Sequence, residues 1–133
     1  MLAIHHHLLP VNWVEAPKDN GVTLSLDASK ILETAQNAGV HIAIHGHQHM
    51  PHLARYQSIP LMENKRRSPI TVISNGSSGV VAARRPGEER NTYCVLTFDR
   101  EDAHLRMREF RSDRREGTSL FDDKLELKPA GPS

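Results

Sequence analysis

The sequence has few cysteines and no long apolar run, and these absences exclude several classes of protein. Cys94 is the only cysteine in 133 residues, so no internal disulfide can form and the chain fits a reducing compartment. No run of residues approaches the ~20 apolar positions that a membrane-spanning helix needs. The start Met1–Ile4 leads directly into histidines, which is not typical of a signal peptide. We therefore expect a cytoplasmic protein with no membrane segment.

Charge and hydrophobicity narrow the class further. The formal net charge is +1 with histidine neutral, which is too small to indicate specific nucleic-acid binding. The hydrophobic fraction is 38%, and the eight glycines bring the total close to what globular domains contain. A chain of 133 residues corresponds to one domain, or part of one, with enough residues to form a core.

Histidine, in contrast, is abundant and concentrated. Of nine histidines, eight lie before residue 53. They include the triplet His5-His6-His7 and the segment His45-Gly46-His47-Gln48-His49. Neutral imidazole is the commonest side-chain ligand for transition metals, so this concentration indicates a metal site.

The first half of the chain has an α/β pattern. Leu2–Ile4 reads as the end of a buried strand, and residues 12–26 read as a loop. A helix is predicted over Ala28–Ala38, with Asp27 as its N-cap and Gly39 as its C-terminal stop. Val40–Ile44 is predicted to be a short strand that leads directly into the glycine–histidine segment. The chemistry would then lie at the C-terminal end of a strand, as is common in α/β sheets.

The second half is predicted to be β-rich. Strands are expected over 53–61, interrupted at Pro60, and over Ile70–Ser74. Thr92–Phe98 and His104–Phe110 predict an antiparallel hairpin. From about residue 112 onward, charge, glycine and proline predict a poorly ordered tail with room for a short strand at Leu125–Leu127. We therefore divide the chain into a domain over 1–111 and a tail over 112–133.

Three histidines are the candidate metal ligands. His47 and His49 are two residues apart, which in extended backbone puts both side chains on one face. Gly46 allows a tight turn and leaves room for a metal ion. His5 follows another candidate strand, so His5, His47 and His49 would converge if the two strands are parallel neighbours.

Other polar residues have competing interpretations. One of His6 and His7 is expected to point inward toward the metal or substrate, and which of them does so stays open. We favour His45 as a strand residue packed against a neighbour over a residue supporting the site. The segment Asn75–Gly79 is better interpreted as a turn than as a phosphate cradle. Trp13 and Tyr56 are assigned to packing rather than to a cleft. Five arginines are assigned to a solvated face: Arg106, Arg108, Arg111, Arg114 and Arg115.

The order strand-His-His-His-Leu-Leu-Pro, helix, strand-Gly-His-Gln-His resembles the C-terminal half of a calcineurin-like metallophosphoesterase over roughly residues 1–110. The resemblance implies a partial αββα sandwich, made of strand–helix–strand followed by antiparallel strands. It also implies hydrolysis of a phosphate ester at a centre of two divalent transition-metal ions, either Mn, Fe, Zn or Ni. His5 and His47 would then hold one ion and His49 the other, with His6 and His7 close to the substrate.

The departures from the family are equally informative. Neither Gly-Asp nor Asn-His occurs in the sequence, and no Asp-X-His stands ahead of the strand that ends at Ile4. These motifs carry the family's carboxylate ligands and its general acid, so no catalytic residue is assigned in this chain. We expect a C-terminal fragment that is inactive alone and needs an N-terminal half or a partner chain. The alternative is a non-catalytic metal-binding or interaction module that completes its sheet with a partner.

Overall fold

The computed structural model describes residues 1–9, 27–46, 50–62, 67–79, 91–110 and 117–127. Within these ranges the chain has a mixed α/β fold with one helix and two sheets. The elements, in chain order, are β1 (Leu2–Ile4), α1 (Ala28–Asn37), β2 (Ile42–His45), β3 (His52–Tyr56), β4 (Ile70–Ser74), β5 (Asn91–Phe98), β6 (Asp102–Phe110) and β7 (Thr118–Glu126). No helix in the described part of the chain is both long and apolar enough to cross a membrane.

Helix α1 lies within one residue of its predicted bounds. Gly39 has φ of 71°, a left-handed conformation that glycine adopts without strain. The N–H groups of Gly39 and Val40 donate to helix carbonyls three and five residues back, at 3.1 and 2.9 Å. These two bonds form a Schellman motif, which confirms Gly39 as the stop. Asp27 lies at the N-cap position, as predicted, although its side chain makes no capping hydrogen bond.

The first sheet has four strands in the order β1-β2-β4-β3. Strands β1, β2 and β4 are parallel, and β3 pairs antiparallel with β4. Strand β2 has a neighbour on each side and is largely buried, which explains its continuous apolar run over 42–44. The strand predicted over 53–61 is shorter than expected, because β3 ends at Tyr56, four residues before Pro60.

The second sheet has three antiparallel strands in the order β5-β6-β7. The predicted hairpin is confirmed as β5 and β6. The prediction of a poorly ordered tail from residue 112 is wrong over Thr118–Glu126, where nine residues form β7. The charged residues of 122–124 are exposed and conceal the strand in the sequence. The strand forms because its backbone pairs with β6 and because Leu125 packs into the core. Both of these are long-range contacts.

The core lies on both faces of the four-stranded sheet. On one face the sheet packs against α1 through Leu8, Leu32, Ala35, Ala43, Ile70 and Val72, with Tyr56 packed at the edge of this cluster. On the other face it packs against the three-stranded sheet through Ile42, Ile73, Ala103, Leu105, Met107 and Leu125. The described chain is therefore layered as helix, four-stranded sheet and three-stranded sheet.

Candidate metal centre

Three parallel strands end together at one edge of the four-stranded sheet. In the register, Ile4 pairs with His45 and His45 pairs with Ser74. The residues that follow the three strands, His5, Gly46 and Asn75, continue this row of neighbours. The Gly46 N–H donates to the His5 carbonyl at 3.3 Å, and the Asn75 N–H donates to the His45 carbonyl at 2.9 Å. His5 thus lies directly beside the start of the glycine–histidine segment. The parallel adjacency that the sequence argument required is present.

The histidine triplet divides between solvent and core. His5 and His6 are exposed, and their rings are in edge-on contact with centroids 5.2 Å apart. His7 is 1% exposed and is among the most buried side chains of the described residues. Of His6 and His7, the inward residue is therefore His7.

His45 is the second buried histidine. It is 2% exposed, and its ring packs edge-on against that of His7 with centroids 5.0 Å apart. Burial lowers the pKa of His45, nearby His52 acts in the same direction, and a hydrogen bond with the Gly46 backbone opposes them. Its Nδ1 has no hydrogen-bond partner among the described residues. His45 is a strand residue packed against a neighbour, as the sequence favoured.

His47 and His49 lie outside the described residues, and so does Gln48. Their flanking residues, Gly46 and Met50, are both described. A Cβ added at Gly46 would have the His5 carbonyl oxygen as its nearest neighbour, at 4.0 Å. Among the described residues, no atom outside Gly46 and its chain neighbours lies closer to this position than that oxygen.

The donor set of this edge fits a transition metal in part. His5 presents one imidazole at the carboxyl end of β1, which suits a Mn, Fe, Zn or Ni ion. Within the described ranges, no three His, Cys, Asp or Glu side chains lie close enough together to hold a metal ion. A complete set would need His47, His49 and carboxylates from outside the described residues.

One triplet of the chain, Asp102-Ala103-His104, has the Asp-X-His spacing of the family's first motif. It lies on β6 in the second sheet rather than on a strand beside β1. There Nε2 of His104 lies 2.6 Å from Oδ1 of Asp122, and Oδ2 of Asp102 lies 3.6 Å from Nζ of Lys124. These cross-strand contacts place the triplet on the second sheet, whereas His5 lies at the end of β1 in the first sheet.

The described residues include some of the remaining candidates, namely the segment 75–79 and two of the arginines. Ser77 accepts two hydrogen bonds. Its Oγ accepts from the N–H of Gly79 at 3.3 Å, and its backbone carbonyl accepts from the N–H of Thr92 at 2.9 Å. This part of 75–79 connects β4 with the second sheet. Arg106 is exposed and Arg108 is half-buried. Four further candidates lie outside the described residues: Trp13, Arg111, Arg114 and Arg115.

Ser74 is a residue of this edge that the sequence did not single out. It is 1% exposed, and its Oγ donates to the carbonyl of Met50 at 2.8 Å. A serine at the end of an apolar strand carries no distinctive signal, so only the fold reveals this contact.

The chain matches no family model, and neither curated proteins nor solved structures provide a match.

Proposed function

We propose that this chain provides the C-terminal portion of a calcineurin-like sandwich and part of a two-metal phosphoesterase centre. The observation that supports this most strongly is the register of the parallel strands, which sets His5 beside Gly46. Two histidine motifs some forty residues apart thereby meet at the carboxyl edge of one sheet, where α/β proteins commonly bind ligands.

Each histidine at this edge of the sheet has a proposed role. His5 and His47 would hold one divalent ion, and His49 would hold the other. Bound ions supply Lewis-acid activation of a phosphate ester and of water. His6 is exposed and follows His5 directly in the chain, and it would contact the substrate. The buried His7 would act from beneath, by packing against His45.

The chain by itself is expected to lack phosphoesterase activity. Three imidazoles do not complete two coordination spheres, and the sequence contains no Gly-Asp or Asn-His motif. The bridging carboxylate and the general acid would come from an N-terminal portion or from a partner chain. The substrate class is a phosphate ester.

Metal titration of the purified chain tests the proposed ligands. We expect Mn²⁺ or Zn²⁺ to bind, and we expect His5→Ala or His47→Ala to weaken binding by about tenfold or more, since each removes one imidazole ligand. Isothermal titration calorimetry measures the change. His104→Ala is the matched control, because it removes a histidine of the second sheet whose Nε2 contacts Oδ1 of Asp122. Binding that His47→Ala leaves unchanged would contradict the proposed metal centre.

An activity assay tests the incompleteness of the centre. With Mn²⁺ added, the isolated chain should hydrolyse a chromogenic phosphodiester no faster than the His47→Ala variant does. Robust turnover that depends on His47 would show that the carboxylates are not needed from elsewhere. That result would overturn the expected inactivity while supporting the metal centre.

An interaction module is the second candidate function. Strand β1 has only three residues and, among the described strands, pairs only with β2. An open strand edge favours pairing with another chain. Sedimentation analysis separates the two functions, because a module that completes its sheet with a second copy would form dimers whose stability does not depend on metal or on His47.

A further inference from the structure

The segment 57–62, which follows β3, exposes three apolar side chains. Ile59 is 53% exposed, Leu61 88% and Met62 101%, so the last two are almost completely open to water. A single exposed apolar residue is common on a protein surface, whereas a contiguous group is typical of an interaction site. These three residues are called the apolar tip.

The base of this segment is held against one flank of α1. Nε2 of Gln57 donates to the Arg67 carbonyl at 3.0 Å, which ties the start of the connection between β3 and β4 to its end. The Ser58 N–H donates to Oε1 of Gln36 at 3.4 Å, and Nε2 of Gln36 donates to the Ser68 carbonyl at 2.8 Å. Gln36 is 5% exposed, so its amide is shielded from water. The apolar tip is therefore presented on a fixed base.

The other flank of α1 lines an apolar groove of about 550 Å³. The lining residues include Leu2 of β1, Ile31 and Ala38 of α1 and its C-cap, and Val40. Gln36 lies two residues from Ala38, about 200° around the helix, so the groove and the base of the tip are on opposite flanks. This volume is within the range of pockets that bind drug-sized molecules, so it has room for aliphatic side chains.

The apolar tip and the groove complement each other but lie at opposite edges of the molecule. Strands β1 and β3 form the two edges of the four-stranded sheet, three strand spacings or about 14 Å apart. The tip follows β3, whereas Leu2 places the groove at β1. Segment 57–62 has no charged residue, and the groove has one of each sign, Asp27 and Lys30. No like-charge repulsion therefore opposes a contact between the tip of one copy and the groove of another.

We propose that the apolar tip of one copy of this chain docks in the groove between α1 and β1 of a second copy. The contact joins two different surfaces, so each complex keeps a free tip on one copy and a free groove on the other. Association is head-to-tail and is not limited to dimers. Three aliphatic side chains bury less than the ~1,200 Å² at which standard interfaces begin, so the association is weak and reversible. The inference is independent of the proposed metal centre, because none of its residues is a candidate ligand.

Sedimentation velocity over a range of concentrations tests this contact, with a chelator present so that metal does not bridge two copies. The weight-average sedimentation coefficient of the wild-type chain should rise with concentration. The double variant Leu61→Ser, Met62→Ser removes the tip, and Ala38→Arg fills the groove. Each should weaken self-association by about tenfold or more. The substituted positions are exposed, so both variants should keep the wild-type circular dichroism spectrum.

Two matched controls separate this contact from general effects of hydrophobicity and charge. Leu120→Ser removes a 45% exposed leucine of β7. Asn37→Arg adds the same charge as Ala38→Arg, one residue away and outside the groove lining. Neither control should change self-association. A wild-type chain that stays monomeric, or self-association that Ala38→Arg leaves unchanged, would overturn the inference.

Mixing the two variants is the decisive measurement. The Ala38→Arg chain keeps its tip and the double variant keeps its groove, so a mixture should form one-to-one complexes although neither variant associates alone. A mixture that stays monomeric would refute head-to-tail docking. Binding to anionic phospholipid vesicles that requires Leu61 and Met62, without self-association, would refute it as well and would identify the tip as a membrane contact.

Discussion

At the scale of single residues, the unusual feature is a pair of buried, contacting histidines. His7 and His45 pack edge-on beneath the carboxyl edge of the sheet, where a charged imidazole would be poorly solvated. His45 is the last residue of β2 and directly precedes Gly46.

This arrangement predicts that acid destabilises the metal-free fold. Burial places the folded-state pKa of His45 below its ordinary value of 6.5, so the unfolded chain binds more protons between the two pKa values. The stability due to neutral His45 is therefore fully present above pH 6.5 and is lost as the pH falls through the folded-state pKa. Urea unfolding with a chelator present, at about pH 7.5 and about pH 5.5, measures the loss.

A variant isolates the contribution of His45. His45→Gln cannot titrate in this range, so its stability should fall less between the two pH values than that of the wild-type chain. An equal fall in His45→Gln and wild type would show that other groups cause the acid sensitivity.

At the scale of secondary-structure elements, β7 shows how a strand can be concealed by its sequence. Its exposed residues include two aspartates and a lysine, and its apolar contacts are spaced along one face. Side-chain pattern alone therefore favours a solvated tail. The strand exists because its backbone pairs with β6 and because Leu125 packs into the core between the sheets.

Two leucines of β7 provide a matched test. Leu125 is 8% exposed, and Leu125→Ala should lower the free energy of unfolding by about 2–4 kcal/mol through lost burial and a residual cavity. Leu120 is 45% exposed, and Leu120→Ala should change it by no more than about 0.5 kcal/mol. Chemical denaturation measures both. Equal small effects would indicate that β7 does not belong to the folded unit.

At the scale of the whole molecule, the four-stranded sheet is shared by two cores. Leu32 belongs to the cluster between this sheet and α1, and Leu105 belongs to the cluster between the two sheets. Because each cluster uses side chains from opposite faces of the same strands, loss of one face should weaken the other. The layered arrangement therefore predicts one cooperative unit.

Truncation on each side tests this cooperativity. Leu32→Ala and Leu105→Ala should each lower stability by about 2–5 kcal/mol. In both variants, the helix signal in circular dichroism and the methyl signals of the second sheet in NMR should be lost at the same denaturant concentration. A Leu105→Ala variant whose helix unfolds at the wild-type midpoint would show instead that the layers unfold independently.

Much of the local structure could be predicted from the sequence. The helix bounds, the stop at Gly39, the strand Ile70–Ser74 and the hairpin of β5 and β6 follow from patterns that act within a few residues. The candidate site was predictable only as a set of histidines near strand ends. Which of His6 and His7 turns inward could not be predicted, because both follow the same strand and only packing against His45 distinguishes them.

The sequence by itself determined the chemistry of this protein, namely a concentration of imidazoles after short apolar strands and an absence of the Gly-Asp and Asn-His motifs. The tertiary structure alone decided which of those strands are neighbours, that β7 joins the fold, and that Ser74 anchors Met50. The physical reason is range. Backbone preferences and side-chain periodicity act over a few residues, whereas the pairing of His5 with Gly46 and of Ser74 with Met50 joins segments that only the burial of a common core brings together.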